Sequence, residues 1–261
     1  MKLHCIPILS ALFTSLVCFS NPATKISDNS PSSGIVIRWN DCEQTIDGFG
    51  IAQAGWAKEL FAFKNRKQVM DKMFGNDGLR LNILRGEIFP HYWENKEDKD
   101  FNLNDDINIE LCDSDFNNKS DDLLRRGQLW LTLEAKNKYH INKLVFSTWS
   151  APAWMKSNGK VSNGKLKPEC YQDFANYLAA FYKAYKSKGI TPYAISPSNE
   201  PGYAAPWNSS LWTADEMGKF ITSNLGPSFQ KENIPAKIIF GENPLWSVVM
   251  PQLKKIGRAH V

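Results

Sequence analysis

The run Ile195-Ser196-Pro197-Ser198-Asn199-Glu200-Pro201 sets a carboxylic acid between a primary amide and a proline, directly after a short apolar stretch. A carboxyl group at the end of a strand can protonate a leaving oxygen and later take a proton from water, which is the work of glycosidic-bond cleavage. As an acid it needs a pKa raised by burial or by a second carboxylate. Asn199 would then hold a ring hydroxyl, through a hydrogen bond that tightens as positive charge develops on the sugar. On its own the tripeptide reads equally well as a surface turn. The run Trp149-Ser150-Ala151-Pro152-Ala153-Trp154-Met155-Lys156 weighs against the turn, because it follows the preceding apolar stretch in the same way. Two Trp around a proline make a rigid corner, and an aromatic face suits the apolar C–H face of a sugar. Ordinary core packing explains Trp154 as readily, and Trp149 less so.

Residues so placed must be presented by strands that alternate with helices. Gln44 to Gly50 turns on two glycines, and Ile35 to Trp39 alternates weakly enough to suggest a strand. A helix is expected over Arg66 to Phe74, stopping at Gly75, and a buried strand over Leu79 to Ile88. Arg80, Asn82, Arg85 and Glu87 interrupt that strand, so they form either a paired network or a site. The acidic, Asn-rich stretch 94–122 reads as a long excursion. Gly127 to Lys138 is helical, Lys143 to Thr148 is a strand, and Tyr171 to Lys188 repeats aromatic residues at helical spacing up to Gly189. A strand over Tyr193 to Ser196 follows. Thr213 and Glu216 form a capping box for a helix closing at Gly226, and Lys237 to Gly241 is a further strand. Five strand–helix units imply a parallel sheet. No Gly-x-Gly-x-x-Gly or Walker sequence follows any strand, so an incomplete eight-fold barrel fits better than a nucleotide-binding sheet. Glu87, Trp149, Glu200 and Glu242 then stand after successive strands.

Composition narrows the setting. With 43% hydrophobic and 22% charged residues, the 261-residue chain can bury a core. A net charge of +4, spread evenly, argues against nucleic acid and anionic membranes as partners. Met1 to Ser20 reads as a signal peptide cleaved near Ser20, and 21–34 as a flexible leader, so secretion without a membrane anchor is expected. Cleavage would leave Cys42, Cys112 and Cys170, an odd set unlike a zinc pattern and best read as small buried hydrophobes. A carbohydrate-binding protein without catalysis would keep Trp149 and Trp154 but has no need of Asn199-Glu200-Pro201.

Taken together, these stretches resemble glycoside hydrolase family 30, whose members join a (β/α)8 barrel to a small β-structure. The resemblance rests on Gln44 to Gly50, Leu79 to Arg85, Gly127-Gln128-Leu129-Trp130-Leu131, Trp149 to Lys156, Asn199-Glu200-Pro201, Leu225-Gly226-Pro227 and Gly241-Glu242, in the family's order. It implies an α/β fold, a TIM barrel carried to about its fifth strand, with a small β-structure from the segment before it. It further implies a retaining β-glycoside hydrolase with Glu200 as general acid/base, Asn199 on the sugar 2-hydroxyl and Trp149 walling the −1 subsite. Arg85 matches an arginine that braces the nucleophile. The family places that nucleophile, a second Glu, on the seventh strand, so the chain is expected to be an inactive part of the enzyme without it. Glu242 matches an acidic position after strand five and is the late candidate. Glu87, Tyr203 and Trp207 have no counterpart and are candidate substrate contacts. The implied partner is a polysaccharide or glycoside, with no cofactor, no metal and a monomeric chain. Trp149 to Lys156 and Gly127 to Leu131 most resemble the xylan-degrading branches, while β-1,6-glucan, β-1,6-galactan and glucosylceramide stay open. Ile256 to Val261 equals one reading frame of a common sequencing adapter, so 255–261 is expected to be a non-native tail on a barrel segment of residues 35–254.

Overall fold

The computed structural model describes residues 45–53, 56–93, 95–97 and 127–243, with Arg38, Asn40, Asp41 and Val249. The signal segment, the leader, Cys42, Cys112, most of the expected strand at 35–39, nearly all of the acidic stretch and the 255–261 tail lie outside the described residues. So does the segment expected to supply the small β-structure, apart from a few positions.

Five strands, β1 (Gly50–Ala52), β2 (Ile83–Ile88), β3 (Lys143–Thr148), β4 (Ala194–Ser196) and β5 (Lys237–Ile238), form one parallel sheet in the order of the sequence. Parallel neighbours need crossovers, and helices supply them: α1 (Ala57–Ala62) and α2 (Arg66–Phe74), then α3 (Gly127–Tyr139), α4 (Tyr171–Ser187), α5 (Ala214–Phe220) and α6 (Gly226–Lys231). Consecutive strands that pair in order with a helix between them are the build of a TIM barrel rather than of a doubly wound sheet, whose order reverses.

Alternation sorts the strand residues into two layers. Phe146 meets the rings of Phe181 and Tyr185 on α4, each at 5.0 Å in edge-on contact, so its face of β3 is the helix face. Gly86 lies on that face of β2, where a Cβ would come within 2.7 Å of both the Phe146 ring and Gln128. The opposite face therefore carries Arg85 opposite Val145, and beyond them a row in which Glu87 pairs with Ser147 and Ser147 with Ser196. That polar row lies at the carboxyl ends of the strands, where barrel chemistry sits.

Helix α2 begins and ends at the expected residues, and α3 runs one residue further than expected, to Tyr139. Strand β2 starts four residues later than the apolar run suggested. Leu79 N–H and Leu81 N–H donate to Lys72 O and Met73 O, so this stretch closes the end of α2 instead. The helix expected to close at Gly226 does not stop there. It passes through a π-helical turn, Ile221–Leu225, and continues as α6 to Lys231. Pro227 sits in the first turn of α6, so its missing N–H takes no bond from α6 itself. Strand β5 is shorter than expected, although Ile239 N–H still donates to Ile195 O.

Candidate active site

Glu200 lies four residues beyond β4, in a backbone conformation rare for a side chain of its kind, with φ +44°. Such a conformation costs of order 1–3 kcal/mol and persists only where the surroundings enforce it. Here three main-chain bonds do so. Asn199 N–H donates to Thr148 O at 2.6 Å, Glu200 N–H to Glu242 O at 2.9 Å, and Tyr203 N–H to Glu200 O at 3.0 Å. The first two tie the loop to the end of β3 and to the segment that follows β5, so the half-buried Glu200 is held from both sides of β4.

Beside it, Arg85 acts as a fork. Its Nε donates to Glu242 Oε1 at 3.0 Å and a terminal nitrogen donates to Asn199 Oδ1 at 2.7 Å. Its guanidinium carbon lies 4.5 Å from the centre of the Trp149 ring, a cation–π contact. A guanidinium only donates, so Asn199 must give it the amide oxygen, leaving the amide N–H2 for another acceptor. The second Glu242 oxygen accepts from Ser147 Oγ at 2.6 Å. Arg85, Trp149, Asn199 and Glu242 thus form one connected cluster, drawn from β2 and from the ends of β3, β4 and β5.

The other expected residues lie differently. Glu87 is a member of β2 rather than a residue after it, because the strand extends to Ile88. It is buried and shares the Arg85 face. Its peptide is bracketed by Gln128, which accepts from Glu87 N–H at 2.5 Å and donates to Glu87 O at 2.7 Å. Tyr203 and Trp207 follow Glu200 on its loop, 46% and 55% exposed, with ring centres 6.4 Å apart. They stand outside the Arg85 cluster as an open aromatic pair. Trp154 is partly buried against the core, donating its indole N–H to Trp93 O at 3.1 Å. Cys170 is buried and free.

Two residues at or beside the site escaped the sequence reading. Ser147 sits inside an apolar strand, where only its alternation with Phe146 hinted at it. Gln128, in α3, supports Glu87 from the helix face. Lys156 closes the Trp149 motif and is fully buried. Among the described residues, no cluster of His, Cys, Asp and Glu could hold a metal, and no helix is long and apolar enough to cross a membrane.

The domain model described as the glycosyl hydrolase family 30 TIM-barrel domain matches residues 46–241. A putative glucosylceramidase 3 of Caenorhabditis elegans is 30% identical over 200 residues, covering 73% of this chain and 37% of that protein. An endo-1,6-beta-D-glucanase of Neurospora crassa is 28% identical over 237 residues, covering 84% and 45%. The solved catalytic domain of a family 30 xylanase C from Talaromyces cellulolyticus superposes with a TM-score of 0.66 at 25% identity, over 82% of this chain and 51% of that one. The chain therefore spans less than half the length of these two curated relatives. Strand order, the polar row at the strand ends and the span of the match agree: this chain belongs to the glycosyl hydrolase family 30 TIM-barrel family.

Proposed function

We propose that the chain carries the acid/base half of a retaining β-glycoside hydrolase, secreted and acting on a polysaccharide of the xylan type. Glu200 is the general acid/base. Asn199, its oxygen held by Arg85, donates to the sugar 2-hydroxyl, and Trp149 walls the −1 subsite. Tyr203 and Trp207 bind the sugar on the leaving-group side, since they follow the residue that protonates the leaving oxygen. The nucleophile is a second carboxylate on a further barrel strand. Glu242 is assigned to the Arg85 network instead, because it matches the acidic position after the fifth strand rather than one on the seventh; its oxygens accept from Arg85 and Ser147. The observation that carries the reading is the Glu200 backbone, held at positive φ by bonds from both sides of β4 and set beside the Arg85 fork. The relatives are named a putative glucosylceramidase, an endo-1,6-beta-D-glucanase and a xylanase, so glucosylceramide and β-1,6-glucan are the competing substrates.

The test uses Glu200→Ala in the full-length polypeptide. One carboxyl group serves first as acid and then as base, and its importance depends on the leaving group. A natural glycan departs as a poor alkoxide and needs the proton, whereas a dinitrophenyl group barely does. The variant should lose about 10²–10⁴-fold on polymer. It should lose far less in the glycosylation step with the dinitrophenyl glycoside. Azide should then speed turnover, because that nucleophile needs no base. Equal loss on both substrates without azide rescue would remove Glu200 from the role.

A further inference from the structure

Lys156 is fully buried, and among the described residues it has no carboxylate partner. Burying an ammonium costs several kcal/mol unless its donors are met. Its three protons find three acceptors: Ser150 Oγ at 3.0 Å, Ser209 O at 2.6 Å and Ser210 Oγ at 2.9 Å. Burial alone still draws its pKa down from 10.5 to about 8.

The placement of these acceptors is what needs explaining. Ser150 directly follows Trp149, and its own hydroxyl donates to Ala151 O, so it meets Lys156 as an acceptor. Ser209 and Ser210 closely follow Trp207 on the loop that begins with Glu200. Elsewhere the two loops are stitched by main chain. Ser162 bridges Asn208, Ser209 N–H donates to Val161 O at 3.1 Å, and Leu211 N–H donates to Gly164 O at 2.9 Å. Those stitches bind the far part of the first loop, residues 161–164. Lys156 ties the near part, which carries Trp149, to the same segment 209–210.

We infer that Lys156 is a positioning residue whose buried ammonium fixes the spacing between the Trp149 wall and the Tyr203–Trp207 pair, and so sets how a glycan lies across the cleavage point. This rests on the roles proposed above for those aromatic residues. Lys156 touches none of the reacting atoms; it acts through the two loops. A dinitrophenyl glycoside sets one sugar against Trp149 and only a small aryl group on the leaving-group side, and should be far less sensitive to the spacing, whereas a glycan must seat sugars on both walls together.

The experiment is Lys156→Met in the full-length protein, which keeps length and apolar bulk and removes the donors. Ser210→Ala, which removes one acceptor, serves as the milder variant should Lys156→Met not fold. Two readouts are taken. Amide hydrogen exchange at Ser209 and Leu211 should quicken about tenfold or more while β3 and β4 stay protected, because the stitch is local. KM for xylohexaose or gentiohexaose, whichever is hydrolysed, should rise about tenfold with kcat/KM for the dinitrophenyl glycoside changed less than about threefold. Unchanged exchange at 209–211 overturns the proposal whatever the substrate is. So does an equal fall of kcat on glycan and aryl glycoside at constant KM, the mark of lost folded enzyme. Failure of azide rescue in Glu200→Ala would speak against the acid/base assignment alone and leave the exchange result standing.

Discussion

Replacing Arg85 by Met is the sharpest test of the cluster, because one side chain holds three partners. The Arg85–Glu242 pair is neither exposed nor sealed, with side chains 22% and 19% accessible. Breaking a fully buried pair costs about 3–5 kcal/mol, and an exposed one contributes about 0–1, so about 2 kcal/mol is expected here. Ser147 still donates to Glu242, which keeps the orphaned carboxylate from the upper limit. Loss of the contact with Trp149 adds about 0.5–1 kcal/mol. Asn199, deprived of its donor, adds about 1 kcal/mol if its amide oxygen finds no water. These contributions share one residue and do not add fully, so a total near 3 kcal/mol is the expectation. Urea unfolding of wild type, Arg85→Met, Glu242→Gln and the double variant should give a coupling of about 1–2 kcal/mol between the two sites. Arg85→Lys keeps the charge but cannot span Glu242 and Asn199 at once, and should recover less than half of the loss. With Asn199 free to turn, kcat/KM on polymer should fall about 10²-fold in Arg85→Met. A single variant within about 0.5 kcal/mol of wild type, together with a coupling near zero, would refute the reasoning, because the fork would then be a surface contact.

Gly86→Ala should destabilise by about 2 kcal/mol in the same assay, since the new methyl meets at 2.7 Å Phe146, packed on Phe181 and Tyr185, and Gln128, held by Glu87. A fall of Glu200→Ala activity on the dinitrophenyl glycoside to the level seen on polymer would sink the acid/base assignment, as set out above. Lys156 has a folded pKa of about 8 against 10.5, so between those values the unfolded chain binds more protons and stability rises with pH. The stability of wild type relative to Lys156→Met should therefore improve by about 1–2 kcal/mol from about pH 7.5 to about pH 9.5, and a flat difference would show that the three acceptors cancel the desolvation. Amino-terminal sequencing of the protein recovered from the medium should begin close to Asn21, and a retained Met1 on an unanchored intracellular protein would end the secretion reading.

Where local periodicity and end signals act together, the sequence discloses the element to the residue. Strand β3 was expected over Lys143 to Thr148 and helix α2 over Arg66 to Phe74, and both have those bounds. Helix α4 ends one residue early, with Gly189 following at φ +81°. The failures come where a local signal is overruled by a partner elsewhere. Leu79 belongs to an apolar run, yet its N–H caps α2 and its side chain stands in solvent. Gly226-Pro227 carries stop signals, but the π-helical turn before it delivers Pro227 to the first turn of α6, where proline is tolerated.

The site divides along the same line. The candidates Glu200, Asn199 and Trp149 stand out in the sequence because each lies in a run whose polar or aromatic members do nothing for a strand or helix. Arg85 and Glu242 are 157 positions apart in sequence, and no pattern in either neighbourhood joins them. Only the strand order, which brings the ends of β2 to β5 to one edge, makes them partners. In the sequence, Arg85 and Glu87 imply a network or a site, two options that differ in whether a ligand takes part. Arg85 answers in an intermediate way: its partners Glu242 and Asn199 take two of its five donors, and in doing so they fix which atoms of Asn199 remain available. A network of that kind needs no ligand to be stable, and it prepares one orientation of an amide before any sugar arrives. Such preorganisation is what lowers a barrier, since a donor already aimed does not have to be ordered during the reaction. On this account the Arg85–Glu242 pair takes no part in bond cleavage, yet its loss should be felt in kcat as well as in stability.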